Sequence, residues 1–105
     1  MSAHKRRIVL LAEAREDLRD ILLFTDQHWG REQRRSYRQR IYSVLDQLAM
    51  FPNLGRLRPE FGPDTFSFRV EQHIVVFRFT ASQLIITRIL HVRRDAVAEI
   101  AVVEE

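Results

Sequence analysis

Residues 66–92 read FSFRVEQHIVVFRFTASQLIITRILHV, and the reading of this stretch decides the fold. Phe66, Phe68 and Val70 alternate with Ser67, Arg69 and Glu71, the two-residue period of a strand with one covered face. His73 to Thr80 and Leu84 to Val92 are rich in β-branched and aromatic residues, which suit the pleated surface of a sheet. Polar breaks at Glu71-Gln72 and Ala81-Ser82-Gln83 fit hairpin turns. The expectation is a three-stranded antiparallel meander. On its last strand, alternation puts Ile89, His91 and Arg93 on one side and Leu90 and Val92 on the other.

Upstream the period changes. Ala14, Leu18, Ile21, Leu22, Thr25 and Trp29 recur at helical spacing, with Glu13, Glu16 and Asp17 favourably placed in the first turn, and Gly30 ends the helix. A second helix from about Arg31 to Met50 buries Tyr37, Ile41, Val44, Leu45 and Leu48, and Pro52 prevents its continuation. The two form an antiparallel hairpin. Before them, Ile8 to Leu11 is a short apolar run that reads as a strand buried on both faces, and it must join the sheet to satisfy its backbone groups. Pro52 to Asp64 holds all three prolines and two of the three glycines, so it reads as a loop. The fold class is α+β, ordered β-α-α-β-β-β in one sheet. The tail from Ala96 to Val103 is apolar enough to seek cover.

A chain of 105 residues suits one domain spanning 1–105, near the size where a partner that covers apolar surface matters to stability. Cysteine is absent, which excludes disulfides, thiolate metal sites and cysteine nucleophiles. His4, His28, His73 and His91 share no i,i+4 helical spacing, so no metal is expected; with no glycine-rich phosphate loop or serine elbow, no cofactor is expected either. No apolar stretch approaches the roughly 20 residues that cross a bilayer, and Lys5-Arg6-Arg7 precedes only a short apolar run. These features read as a cytoplasmic protein with no membrane partner.

The cations are 16 arginines and a single lysine, and guanidinium groups fork onto phosphates and carboxylates. Arg31, Arg34, Arg35 and Arg38 share one stripe of the second helix with Tyr42, roughly a quarter turn from its apolar face. That stripe either binds an anionic partner or is a solvated face balanced by Glu13, Asp17, Asp20 and Asp26. Arg56 and Arg58 in the loop either reach a partner or pair with Glu60 or Asp64. His91, Arg93, Arg69 and Arg78 could converge on one sheet face, where a histidine base and arginines would cleave RNA. Alternatively, His91 is hydrogen-bonded structurally and Arg93, Arg94 and Asp95 form a surface ion-pair cluster.

In this order and spacing, the chain resembles the RelE/ParE superfamily of bacterial toxins, and its ParE branch most. The resemblance rests on Ala14, Asp17, Leu18 and Ile21, on Trp29-Gly30, and on Leu48-Ala49 with Pro52, Gly55-Arg56 and Arg58. It continues through Ser67 to Val70, Ile74 to Arg78, and Arg88-Ile89-Leu90-His91 with Arg93 to Asp95. It implies a type II toxin neutralised by a cognate ParD-like antitoxin, which itself carries the contact with operator DNA. The ParE branch implies inhibition of DNA gyrase by stabilising its cleaved DNA complex, with no catalytic residues in the toxin. The RelE alternative is a ribosome-dependent mRNA endoribonuclease using His91, Arg69 and Arg78. RelE-type members carry a terminal Tyr or His-Tyr, whereas here Val92 follows His91. A third alternative is an inactive module acting only as co-repressor with its antitoxin.

The expected target contacts are Arg56, Arg58, Arg93 and Arg94, whose replacement by alanine is expected to change stability little. The expected antitoxin contacts are Leu23 and Phe24, which lie off the first helix's core stripe, with Ile100, Val102 and Val103 of the tail.

Overall fold

Gly30 separates the two helices with a backbone φ of 91°, a left-handed value that glycine adopts without strain. The computed structural model describes residues 4–93. It contains β1 (Arg7–Leu10), α1 (Ala12–Trp29), α2 (Arg31–Met50), β2 (Arg56–Leu57), β3 (Phe66–Val70), β4 (His73–Phe79) and β5 (Gln83–His91). One five-stranded sheet runs in the order β1-β5-β4-β3-β2. Every pair is antiparallel except β1 with β5. The α+β class and the helical hairpin beside a meander are as the periodicities imply. Among the described residues no helix is long and apolar enough to cross a membrane.

The apolar stripes of the hairpin pack on one sheet face. Ile41, Leu45 and Leu48 of α2 are fully buried there with Phe77, Leu84 and Ile86, and each such side chain contributes about 1.5–3 kcal/mol relative to exposure. The other face carries a smaller cluster, Ile74, Val76 and Leu90, covered by Phe61 and Val92. Between Val76 and Phe77 the partner residue jumps from Arg88 to Ile86, so Thr87 is an extra residue in β5 and its hydroxyl donates to the Val76 carbonyl at 3.1 Å. This bulge sits where β1 ends, since the Leu11 N–H is the last to bond β5, on the Ile86 carbonyl.

Three sequence expectations need correction. The Ile8–Leu11 run is not buried on both faces: β1 is an edge strand, its apolar residues are half-buried, and Leu11 is 40% exposed. Trp29 keeps helical spacing with the core residues yet is 72% exposed, because the last turn of α1 overhangs an open groove. The 52–64 segment is not a plain loop. Pro52 and Pro59 each start a short 3-10 turn, and between the turns β2 pairs with Ser67 and Phe66. Gly55 is required there, because a Cβ at that position would lie 2.5 Å from the Phe77 ring.

Candidate functional site

Several charges singled out in the sequence are taken up by the fold itself. Beyond the Thr87 bulge β5 keeps β4 on one side but has no strand on its β1 side, and Asp17 fills that gap from α1. Its carboxylate accepts the Ile89 N–H at 2.9 Å and both sides of the Arg88 guanidinium, at 2.8 and 3.0 Å. That hydrogen bond holds the Arg88 pKa above its ordinary value. The first arginine of the C-terminal cluster is therefore a clamp between helix and sheet.

Arg58 is likewise internal, only 2% exposed. Its Nε donates to Glu60 at 2.8 Å and its NH1 to the Ser67 hydroxyl at 2.9 Å, while the guanidinium lies over Phe61, 4.6 Å from the ring centre. The hydrogen bond from Arg58 holds the Glu60 carboxyl below the usual range. Pairing with Glu60, one of the two readings open from sequence, is what the structure contains. Direct contact of the Arg58 side chain with a partner is excluded by its burial. Arg56, on β2, and Arg93, beyond the end of β5, are exposed. Arg94, Ile100, Val102 and Val103 lie outside the described residues.

An open groove of about 560 Å³ lies between the hairpin and the far end of the sheet. The end of α1 supplies Phe24 and Trp29, α2 supplies Gln33 and Tyr37, and His73 and His91 line the sheet side. Phe24 is 57% exposed and stacks on His28, whose Nδ1–H donates to the Phe24 carbonyl. Leu23, 53% exposed, is not among the groove's residues. The two-residue turn between β3 and β4 forms one lip. Glu71 holds it at a φ of 53°, pinned by an ion pair with Arg40 and by Arg69, whose Nε donates to the Glu71 carbonyl at 2.7 Å.

Beneath the aromatics lies a polar pair. The Tyr37 hydroxyl is 2.5 Å from His73 Nδ1 and 3.2 Å from the Val70 carbonyl. A phenol has one proton, so the arrangement that satisfies all three groups has Tyr37 donating to Val70 and accepting from the His73 Nδ1–H. That leaves His73 Nε2 as an acceptor. Burial, reinforced by the neighbouring His91, lowers the His73 pKa to about 4, and burial raises that of Tyr37. Both are neutral near pH 7. His91 meets His73 edge to face at 5.3 Å, and its Nδ1 accepts the Arg93 N–H at 3.1 Å.

His91, Arg69 and Arg78 do not converge. Arg69 alternates with Phe68 and Val70, and Arg78 with Phe77 and Phe79; all four apolar residues face the hairpin. The two arginines thus point to the opposite sheet face, whereas His91 shares the side of Ile89 and the groove. Sequence reading missed the Tyr37–His73 pair. Its signal was there, because His73 directly follows the turn that brings Val70 beside it.

Fold and site together define a small α+β domain that presents an open, aromatic-edged groove and clamps Arg88 and Arg58 into the scaffold. The family model for the ParE toxin of the type II toxin-antitoxin system parDE matches residues 8–96. Toxin ParE1 of Mycobacterium tuberculosis is 29% identical over 90 residues, covering 85% of this chain and 92% of that protein. Toxin ParE3 of Caulobacter vibrioides is 36% identical over 61 residues, or 58% of this chain. Among solved structures, the chromosomal ParDE system of P. aeruginosa superposes with a TM-score of 0.70 at 23% identity, over 85% of this chain and 98% of that one. The RelBE2 toxin-antitoxin complex of Mycobacterium tuberculosis gives 0.51 at 21% identity, over 84% of this chain. The chain belongs to the ParE toxin family of type II toxin-antitoxin systems.

Proposed function

We propose that this ParE-family toxin acts by binding DNA gyrase and holding its cleaved DNA complex, and that a cognate ParD-like antitoxin silences it by covering the groove. The observation that carries the binding reading is the division of His91 from Arg69 and Arg78 by the sheet. RNA cleavage needs a base and a cation on the same phosphate. The groove's other histidine, with a pKa near 4, is a weak base at neutral pH. Gyrase as target is supported by family membership. Arg56, Arg93 and Arg94 are the proposed target contacts, with Arg58 positioning the loop that carries Arg56. The antitoxin is proposed to cover Phe24 in the groove and Leu23 beside it, together with Ile100, Val102 and Val103 of the tail. Contact with operator DNA then runs through the antitoxin.

Adding the purified chain to a gyrase supercoiling reaction and, separately, to a translating ribosome tests this. Cleaved DNA should accumulate with gyrase, and His91→Ala should leave that effect intact. Messenger cleavage on the ribosome, lost in His91→Ala with folding unchanged, would establish the nuclease instead. For the antitoxin, Phe24→Asp should weaken its binding by tenfold or more, about 1.4 kcal/mol, as loss of a central aromatic contact does.

A further inference from the structure

Five of the arginines outside the clamps gather on one flank of the hairpin. At about 100° per residue, Arg15 and Arg19 lie on one side of α1, and Glu13, Asp17 and Asp20 lie on the other. Arg15 and Arg19 rim a second cleft, of about 380 Å³, whose floor is Leu10, Leu18 and Leu22 and whose remaining wall is Tyr42 of α2. The Arg38 guanidinium lies over the Tyr42 ring, 4.8 Å from its centre, and Arg31 and Arg35 continue the same stripe. Among the described residues, none of Arg15, Arg19, Arg31, Arg35 and Arg38 pairs with a carboxylate; only Arg34 on this side does, with Asp26. A solvated face needs neither an apolar cleft nor an aromatic ring between its charges.

We infer that this flank binds single-stranded nucleic acid, with one base in the cleft against Tyr42 and flanking phosphates on Arg15, Arg19 and the Arg31 to Arg38 stripe. Guanidinium groups match phosphate geometry, and a base stacking on an aromatic ring beside cations is how single strands are held without sequence preference. Duplex bases are stacked inside the helix and cannot enter the cleft. An acidic peptide would satisfy the arginines and leave the ring-lined cleft without a role. The cleft and the groove share no lining residue, so this inference stands apart from the antitoxin reading.

The test is fluorescence anisotropy on the full chain with a labelled oligonucleotide of about ten nucleotides, within the usual site sizes, as single-stranded DNA, single-stranded RNA and duplex. Either single strand should bind about fivefold or more tightly than the duplex, and the tighter one names the source. Tyr42→Leu should weaken binding about tenfold, within the range for loss of one base stack, while Tyr42→Phe retains it. Replacing Arg15 and Arg19 together by glutamine should also weaken it about tenfold and reduce the salt slope by about 1.4, the loss of two single-strand phosphate contacts. Melting temperatures should stay unchanged. The inference fails if duplex binds as well as single strands, if Tyr42→Leu binds like the parent, or if a glutamate-rich peptide of equal charge displaces the oligonucleotide equally well.

Discussion

At its first turns α1 sets Asp17 against β5, where one carboxylate serves an arginine and a stranded backbone N–H. At its last turns the same helix sets Phe24 and Trp29 over a groove in which more than half of each residue stays exposed. The first end covers a place where the sheet lacks a strand, so its polar groups are consumed in closing it. The second overhangs the end of the sheet, and nothing in the described fold covers its aromatics. A side chain's chemistry alone does not mark it as functional. What decides is whether the scaffold behind it already needs that side chain.

Breaking the closed end should have the largest effect. Asp17→Ala strands the Ile89 N–H and leaves Arg88 only its longer ion pair with Glu13 at 3.8 Å, and loss of the main partner from a largely buried charged pair costs about 2–4 kcal/mol. In a domain of this size that lowers the melting temperature by roughly 10–20 °C. Asp17→Asn keeps an acceptor and should lose less. Urea titration of the three proteins measures it, and an Asp17→Ala variant within about 1 kcal/mol of the parent would show that the clamp is ornamental.

Arg58 extends the comparison to the 52–64 segment. The sequence expectation is that this arginine can be removed at little cost, and its burial points to the opposite outcome. Arg58→Ala should cost about 2–3 kcal/mol, since Ser67 and Glu60 lose a charge-assisted donor and Phe61 loses its cover. Arg58→Lys should recover little, because an ammonium cannot fork to both oxygens while lying flat on a ring. The same urea titration decides, and full recovery by lysine would mean that charge alone matters there.

The parts of this design that were legible in the sequence are those set by local period. The alternation of Phe66, Phe68 and Val70 and the helical spacing of Tyr37, Ile41, Leu45 and Leu48 each describe a face, and both faces are where the period puts them. What was not legible depends on where elements stop relative to each other. Asp17 and Arg88 are 71 residues apart, and their pairing follows from β1 ending at Leu10, opposite Ile86 and two residues short of Arg88. Trp29 counts as core by period, but no sequence rule says that the sheet beneath it has ended. The separation of His91 from Arg69 and Arg78 could have been read from strand parity: each residue's apolar neighbours mark the face it cannot occupy.

The smallest effect belongs to the groove and tests whether its polar floor is scaffold or surface. His73 titrates near 4 in the folded chain against an ordinary value of 6.5, lowered by burial and then by His91. Tyr37 and His91 face it from α2 and β5, and Glu71, paired with Arg40, stands at the lip. Because the folded pKa is depressed, the unfolded chain binds the proton more readily. This group's share of stability is therefore complete above about pH 6.5 and is lost as pH falls toward 4. With allowance for its partial exposure, the loss should be about 1–2 kcal/mol. Unfolding free energies at neutral and mildly acidic pH for the parent and for His73→Phe isolate it, since carboxylates common to both proteins cancel in the difference. If the two proteins lose stability equally on acidification, His73 is solvated and the groove is only surface. A parent whose acid sensitivity grows when its antitoxin is bound would place the partner over His73, because deeper burial lowers the folded pKa further.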